Sequence, residues 1–268
     1  MELLIYRHLW GITEAWETLF PRIKDLKYRG IEHILPDEGD RDRFRNLLDL
    51  HGFDYIAQVV TTGTTVADHL KSFKRVVEQA RTLGPRKINC HSGCDWFSED
   101  EARRFFGEAL EFESRVGVLV AHETHRGRIL YNPWTTQRIL TEFPQLNLSC
   151  DFSHWVCVCE RLLDDQIEII RQCASRCLHL HARVGYEEGP QVPDPRVPEW
   201  KEALDIHIGW WKRIVENHRK EGWPVFTITP EFGPFPYMTS MPFTQQPISN
   251  QWNINVYMMN MLKSLFSD

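Results

Sequence analysis

Residues 146–154 read LNLSCDFSH, and their alternation decides the fold. In an extended chain Leu146, Leu148 and Cys150 share one face, while Asn147, Ser149 and Asp151 share the other. The run ends on a carboxylate, with His154 three residues further on. Other segments follow the same pattern. CLHLHAR (177–183) sets Leu178, Leu180 and Ala182 against His179, His181 and Arg183, and VFTITPE (225–231) sets Phe226 and Ile228 against Thr227, Thr229 and Glu231. RKINCH (86–91) opposes Ile88 and Cys90 to Asn89 and His91, and GVLVAHE (117–123) ends on Glu123. Acids and imidazoles at the ends of successive strands meet only if those strands are parallel and close into a barrel. The apolar faces then meet an outer layer of helices and the polar faces line the interior. Such barrels usually fill that interior with branched aliphatics, so polar groups near the C-terminal mouth point to chemistry there.

Further strand-like runs are 3–9, 31–35 and 55–60. Helical patterns lie between them over 14–28, 41–51, 66–83, 99–115, 133–143, 163–174, 207–221 and 251–266. Thr13, Ser98 and Asn132 before Pro133 are the expected caps. Eight strands each followed by a helix predict an α/β fold, a (β/α)8 TIM barrel, as one domain over 1–268.

Composition excludes several classes. A net charge of −6 and a pI near 6.1 leave no electrostatic footprint for nucleic acid. The apolar runs are strand-sized, far short of the roughly 20 residues that cross a bilayer, so no membrane partner is expected. MELLIYRHLW has no basic start leading into an apolar core and cleavage site. Seven cysteines is an odd number, and Cys150, Cys157, Cys173 and Cys177 sit in apolar segments, so a reduced, cytoplasmic protein is expected. The pairs Cys90/Cys94 and Cys157/Cys159 fit no zinc-ligand spacing, which leaves packing as their role.

Two glutamates, an aspartate and a histidine make a hard, oxygen-rich set for one divalent cation, Mn2+ first, with Mg2+, Co2+ or Zn2+ also compatible. The alternative is that Asp151 and Glu231 are caps or salt-bridged loop residues. His179 shares the face of His181 one layer deeper, as a partner of a ligand or a core histidine. Parity turns His122 away from the interior if Glu123 points in. In ETHRGR, His125, Arg126 and Arg128 could hold a carboxylate or phosphate, or form a solvated basic loop pairing with Glu187 or Glu188. His91, with Asn89, is placed either to bind substrate hydroxyls or to make a structural hydrogen bond. Trp10, Trp96 and Trp155 follow strand ends, where an indole can stack on a sugar ring. The proline-rich loop 185–200 reads as a stiff lid or partner contact, with plain connection as the alternative.

The order Glu123, Asp151-x-x-His154, His179-x-His181 and Glu231 resembles the xylose isomerase-like TIM barrels, from Leu3 to the last helix. That group holds sugar isomerases, ketose 3-epimerases, inosose dehydratases and, more remotely, endonuclease IV. The resemblance implies Glu123, Asp151, His181 and Glu231 as metal ligands, with His154 and Arg183 touching substrate oxygens. It also implies a small sugar or keto-sugar substrate whose carbonyl the metal polarises, with Glu123 and Glu231 as the acid/base pair and His154 and Arg183 steadying the oxyanion. His91, His125, Arg126 and Trp155 complete the expected substrate contacts. One position departs from the ketose 3-epimerases, which carry a glutamate where this chain has Ile129. The same enolate chemistry can instead end in β-elimination, as in relatives that cleave 3-keto-glycosides, including C-glycosides, or dehydrate inososes. A lyase is therefore the alternative, with His125 or His154 assisting the leaving group. Endonuclease chemistry needs several metals and a basic groove, which the acidic balance opposes, and a non-catalytic sugar-binding barrel is opposed by the intact ligand set. A homo-oligomer or second subunit is compatible with exposed tryptophans and the long loop.

Overall fold

The computed structural model describes residues 1–267. Its eight strands pair in chain order and close into a parallel barrel: β1 (Glu2–His8), β2 (Gly30–Ile34), β3 (Asp54–Val60), β4 (Lys87–His91), β5 (Val120–Glu123), β6 (Leu148–Cys150), β7 (Cys177–His181) and β8 (Val225–Thr229). The seam is β1 against β8, with Leu3 opposite Phe226 and Ile5 opposite Ile228. The outer helices are α1 (Trp16–Asp25), α2 (Arg41–His51), α3 (Val66–Arg81), α4 (Glu99–Val116), α5 (Pro133–Glu142), α6 (Ser153–Cys159), α7 (Ile167–Ala174), α8 (Lys201–Lys220) and α9 (Gln251–Phe266).

The caps explain several helix starts. Ser98 and Glu101 form a reciprocal capping box at α4, and Asn132 accepts from the Thr135 amide ahead of Pro133 at α5. Thr13 is not a cap: α1 begins after Ala15, which makes no side-chain cap. The expected helix over 207–221 starts earlier, at Lys201. The segment expected over 163–174 opens with a 3-10 turn at Asp164–Gln166 before α7. α6 follows Asp151 almost immediately, where the sequence pattern showed only loop.

The strand faces sort as their alternation requires. Ile88, Cys90, Leu148, Cys150, Leu180, Ala182, Phe226 and Ile228 are buried in the large core between sheet and helices. At the N-terminal end of the interior, Leu4, Tyr6 and Ile56 form a separate small apolar cluster. Lys87 enters the same end, where its Nζ donates to the Leu178 carbonyl at 2.7 Å. Above these, the interior is polar. No helix among the described residues is long and apolar enough to cross a membrane.

Candidate metal centre

Parity sends Glu123 of β5, Asp151 just after β6, His181 of β7 and Glu231 just after β8 to the same end of the barrel. One donor atom from each lies within 4.8 Å of the others, and all four residues are buried. His181 Nδ1 sits 2.9 Å from Glu231 Oε2 and 3.5 Å from Glu123 Oε1. Neither contact has hydrogen-bond geometry, so His181 Nδ1 and Glu123 Oε1 are buried without a hydrogen-bonding partner. Buried polar atoms are normally paired, and three carboxylates facing one point repel one another. A divalent cation at their common centre satisfies both conditions, and the donor set is one that hard cations accept.

The surrounding groups tune these carboxyls. Burial opposes ionisation of Glu123, but the His91 and His181 imidazoles override it and hold the carboxyl well below its usual range. Burial likewise opposes ionisation of Glu231, where His181 and Arg183 prevail. Asp151 goes the other way: burial raises its carboxyl despite Arg183 beside it. His181 is raised well above an ordinary imidazole, because Glu231, Glu32 and Glu123 outweigh its desolvation.

Arg183 links two of the four converging residues, Asp151 and Glu231. Its Nη2 donates to Asp151 Oδ2, lies 3.3 Å from Glu231 Oε2, and reaches His154 Nε2 at 2.8 Å. Its Nε donates to Ser153 Oγ at 3.3 Å, and that hydroxyl donates to Asp151 Oδ1 at 2.5 Å. From β3, Gln58 Nε2 donates to Glu231 Oε1 at 3.3 Å. From β4, His91 Nε2 lies 2.7 Å from Glu123 Oε2, which also accepts from Asn89 Nδ2 at 2.7 Å.

A cavity of about 190 Å3 opens onto this centre, lined by Trp10, Gln58, His91, Glu123, His125, Arg183, Glu231 and Tyr237. His125 stacks on His91 with ring centroids 4.4 Å apart, and burial together with His91 pushes its imidazole down to about 3. Trp10 lies so close over Gly233 that a Cβ there would fall 2.0 Å from the indole, so only glycine fits beneath the ring.

Three expected contacts are placed differently. Trp155 is wholly buried, its indole N–H donating to the Leu130 carbonyl and its ring packed on Phe152. The turn of α6 carries it out of the mouth and into the core. The same turn puts His154 behind Arg183 rather than in the cavity, where burial and His125 hold its imidazole well below the ordinary value. Arg126 lies over the Tyr237 ring, 4.9 Å from its centroid, outside the cavity lining. Arg128 is occupied by the Thr61 and Gly93 carbonyls. His122 points outward, its Nε2 2.8 Å from Glu113 Oε1 and its Nδ1 2.6 Å from Ser92 Oγ. His179 lies beneath His181, with Nε2 3.1 Å from Glu32 Oε2. The loop over 185–200 is fastened at its middle: Gln191 exchanges two hydrogen bonds with the Gly233 backbone. Trp96 is exposed.

Sequence reasoning missed Glu32, Gln58 and Tyr237. Gln58 carried a signal, as the single polar residue of YIAQVV, and Glu32, beside His33 in IEHIL, carried a weaker one. Tyr237 comes from an irregular loop and carried none.

The family model described as xylose isomerase-like TIM barrel matches residues 20–226, well over half of the chain. The chain belongs to that family. Among solved structures, a probable 3-DHS dehydratase involved in petrobactin synthesis from Bacillus anthracis superposes with a TM-score of 0.64 at 14% identity, covering 97% of this chain and 98% of that one. A 3-keto-D-glucoside 4-epimerase from E. coli gives 0.63 at 12% identity, covering 98% and 100%. A xylose isomerase-like TIM barrel protein from Mycobacterium smegmatis, in complex with magnesium, gives 0.60 at 9% identity, covering 98% of each chain. No curated protein matches the sequence. At these identities the likeness is one of fold.

Proposed function

We propose that this protein is a divalent-metal-dependent isomerase or epimerase acting on a small polyhydroxy carbonyl compound, a sugar or keto-sugar. The observation that carries the reading is the buried meeting of Glu123, Asp151, His181 and Glu231, with His181 Nδ1 and Glu123 Oε1 left unpaired, at the floor of a cavity. The oxygen-rich set favours Mn2+, with Mg2+, Co2+ or Zn2+ as substitutes. The magnesium complex of the Mycobacterium smegmatis relative supports a divalent ion in this fold. Seven free cysteines fit a reducing compartment such as the cytoplasm.

When bound, the cation would polarise the substrate carbonyl and acidify the neighbouring C–H. Glu123 and Glu231 reach the cavity from different strands and so flank whatever occupies it. One carboxylate takes the proton from carbon. Its return from the opposite side by the other gives epimerisation, and its return to the adjacent carbon gives isomerisation. Arg183 and His91 line the cavity to meet substrate oxygens, the neutral His125 ring, whose Nδ1 donates to the Arg126 carbonyl, offers an accepting nitrogen to a substrate hydroxyl, and Trp10 offers a ring face. His154 acts at one remove, by fixing the Arg183 guanidinium.

A second reading is a lyase that ends the same proton abstraction in β-elimination. Ile129, where ketose 3-epimerases place a glutamate, is buried and packs close to Gly93 instead of facing the cavity. His125, a neutral ring lining the cavity, then holds the leaving group in place rather than protonating it. The named dehydratase among the structural relatives agrees with this alternative.

The test is NMR in D2O of metal-replete protein with ketoses, their phosphates and 3-keto-glycosides. Deuterium entering beside the carbonyl is expected, and chelation should abolish it. Interconverted sugars mark an isomerase or epimerase, while an unsaturated product marks a lyase. Protein that takes up no cation and exchanges no proton on any of these overturns the reading.

A further inference from the structure

Glu32 reaches into the barrel from β2 and meets both histidines of β7 across the interior. Its Oε1 lies 2.9 Å from His181 Nε2 and its Oε2 lies 3.1 Å from His179 Nε2. Thr229 Oγ1 donates to Oε2 at 2.5 Å, and Asn89 Nδ2 approaches Oε1 at 3.3 Å. Glu32 is wholly buried, and each of its two oxygens faces one histidine nitrogen and one further polar group.

Glu32, His179 and His181 could themselves be taken for a cation site, since their donor atoms cluster. The hydrogen bonds argue otherwise. Both oxygens of Glu32 are engaged, and His179 Nδ1 is taken up by Thr227 Oγ1 at 2.8 Å. No donor among the three faces a shared empty point. The one unpaired nitrogen, His181 Nδ1, faces the other way, toward Glu123 and Glu231.

We infer that Glu32 is the positioning residue of the candidate centre: it keeps the His181 proton on Nε2 and turns Nδ1 toward the cation. Of a carboxyl and an imidazole 2.9 Å apart the imidazole is the stronger base, so the hydrogen between them sits on the ring nitrogen and the carboxylate oxygen accepts it. The lone pair is then left on Nδ1, where a ligand needs it. Outer carboxylates of this kind fix both the tautomer and the ring plane of a ligating histidine. Asn89 adds to the arrangement by donating to Glu123 Oε2, so the same buried network orients a second ligand. This inference rests on the metal-dependent reading of the site.

The experiment compares wild type, Glu32→Gln and Glu32→Asp by Mn2+ titration and by 15N NMR of the histidine rings with bound Zn2+. Glutamine replaces one accepting oxygen with an N–H2 group, and aspartate withdraws the carboxylate from both rings. Either change is expected to weaken Mn2+ binding about ten- to a hundredfold and to remove the hydrogen-bonded Nε2 proton signal of His181. Glu113→Gln, which breaks a part-buried carboxylate–histidine contact on the outer face, should leave Mn2+ affinity unchanged. Folded Glu32 variants that bind Mn2+ as tightly as wild type and keep the His181 proton where it was overturn the inference. If wild type takes up no cation, the metal-dependent reading has failed, and the metal-free spectra still decide the role of Glu32. A His181 Nε2–H that is hydrogen-bonded in wild type and lost in the variants upholds it, and identical spectra overturn it. If glutamine prevents folding, the aspartate variant gives the same readings.

Discussion

His122 and Glu123 are consecutive in β5, yet they serve opposite sides of the barrel wall. His122 turns outward to Glu113 of α4, 2.8 Å away, and Glu123 turns inward, 2.7 Å from His91. The pleat of a single strand thus supplies both an ion pair that fastens a helix and a carboxylate of the candidate centre.

The outward pair gives a stability that depends on pH. Burial alone would lower the His122 imidazole, but Glu113 outweighs it and raises the group to about 10. In the unfolded chain it titrates at roughly 6.5. Its stabilising contribution is therefore complete below the unfolded value and is lost as pH rises from there through the folded one. Urea midpoints should fall between pH 6 and pH 10. Glu113→Gln should flatten that profile and cost about 3 kcal/mol at neutral pH. A profile as steep in the variant as in wild type would discard the assignment.

Asp151→Asn replaces one oxygen of the proposed ligand set by a group that donates, while the side chain keeps its shape. The variant is expected to come through dialysis with less than one cation per chain and to lose turnover on the order of a hundredfold. Metal content by atomic emission, set beside circular dichroism, separates loss of the ion from loss of the fold.

Arg183→Lys retains positive charge but lacks the planar fork that joins Asp151, Ser153 and His154. We expect kcat to fall on the order of a hundredfold with a smaller change in KM, because the lost contacts act on groups that must be aligned for proton transfer. An equal rise in KM with kcat preserved would make Arg183 a simple substrate anchor.

The two tryptophans should separate cleanly. Trp155→Ala opens the core and should cost about 3–5 kcal/mol of stability. Trp10→Leu removes a ring face from the cavity and should raise KM about fivefold, consistent with roughly 1 kcal/mol of stacking, with less effect on unfolding. Both are read from denaturant midpoints and steady-state kinetics.

The barrel and the four converging donors were legible in the sequence because both depend on period-two alternation, which a strand displays directly. Asn147, Ser149 and Asp151 could be assigned a face without any knowledge of what they meet. The positions of Trp155 and His154 were not legible, since they depend on a helix of only seven residues starting two positions after Asp151. Glu32 illustrates a different limit. Its phase was visible, but its two histidine partners lie nearly 150 residues away in the chain, and no local pattern announces such a pairing.

The apolar cluster of Leu4, Tyr6 and Ile56 has a consequence for traffic through the molecule. With Leu4, Tyr6 and Ile56 closing the far end, the polar chamber is a blind well, so water and any molecule it takes in share one doorway. Trp10 and Tyr237 are among the residues that line that one opening.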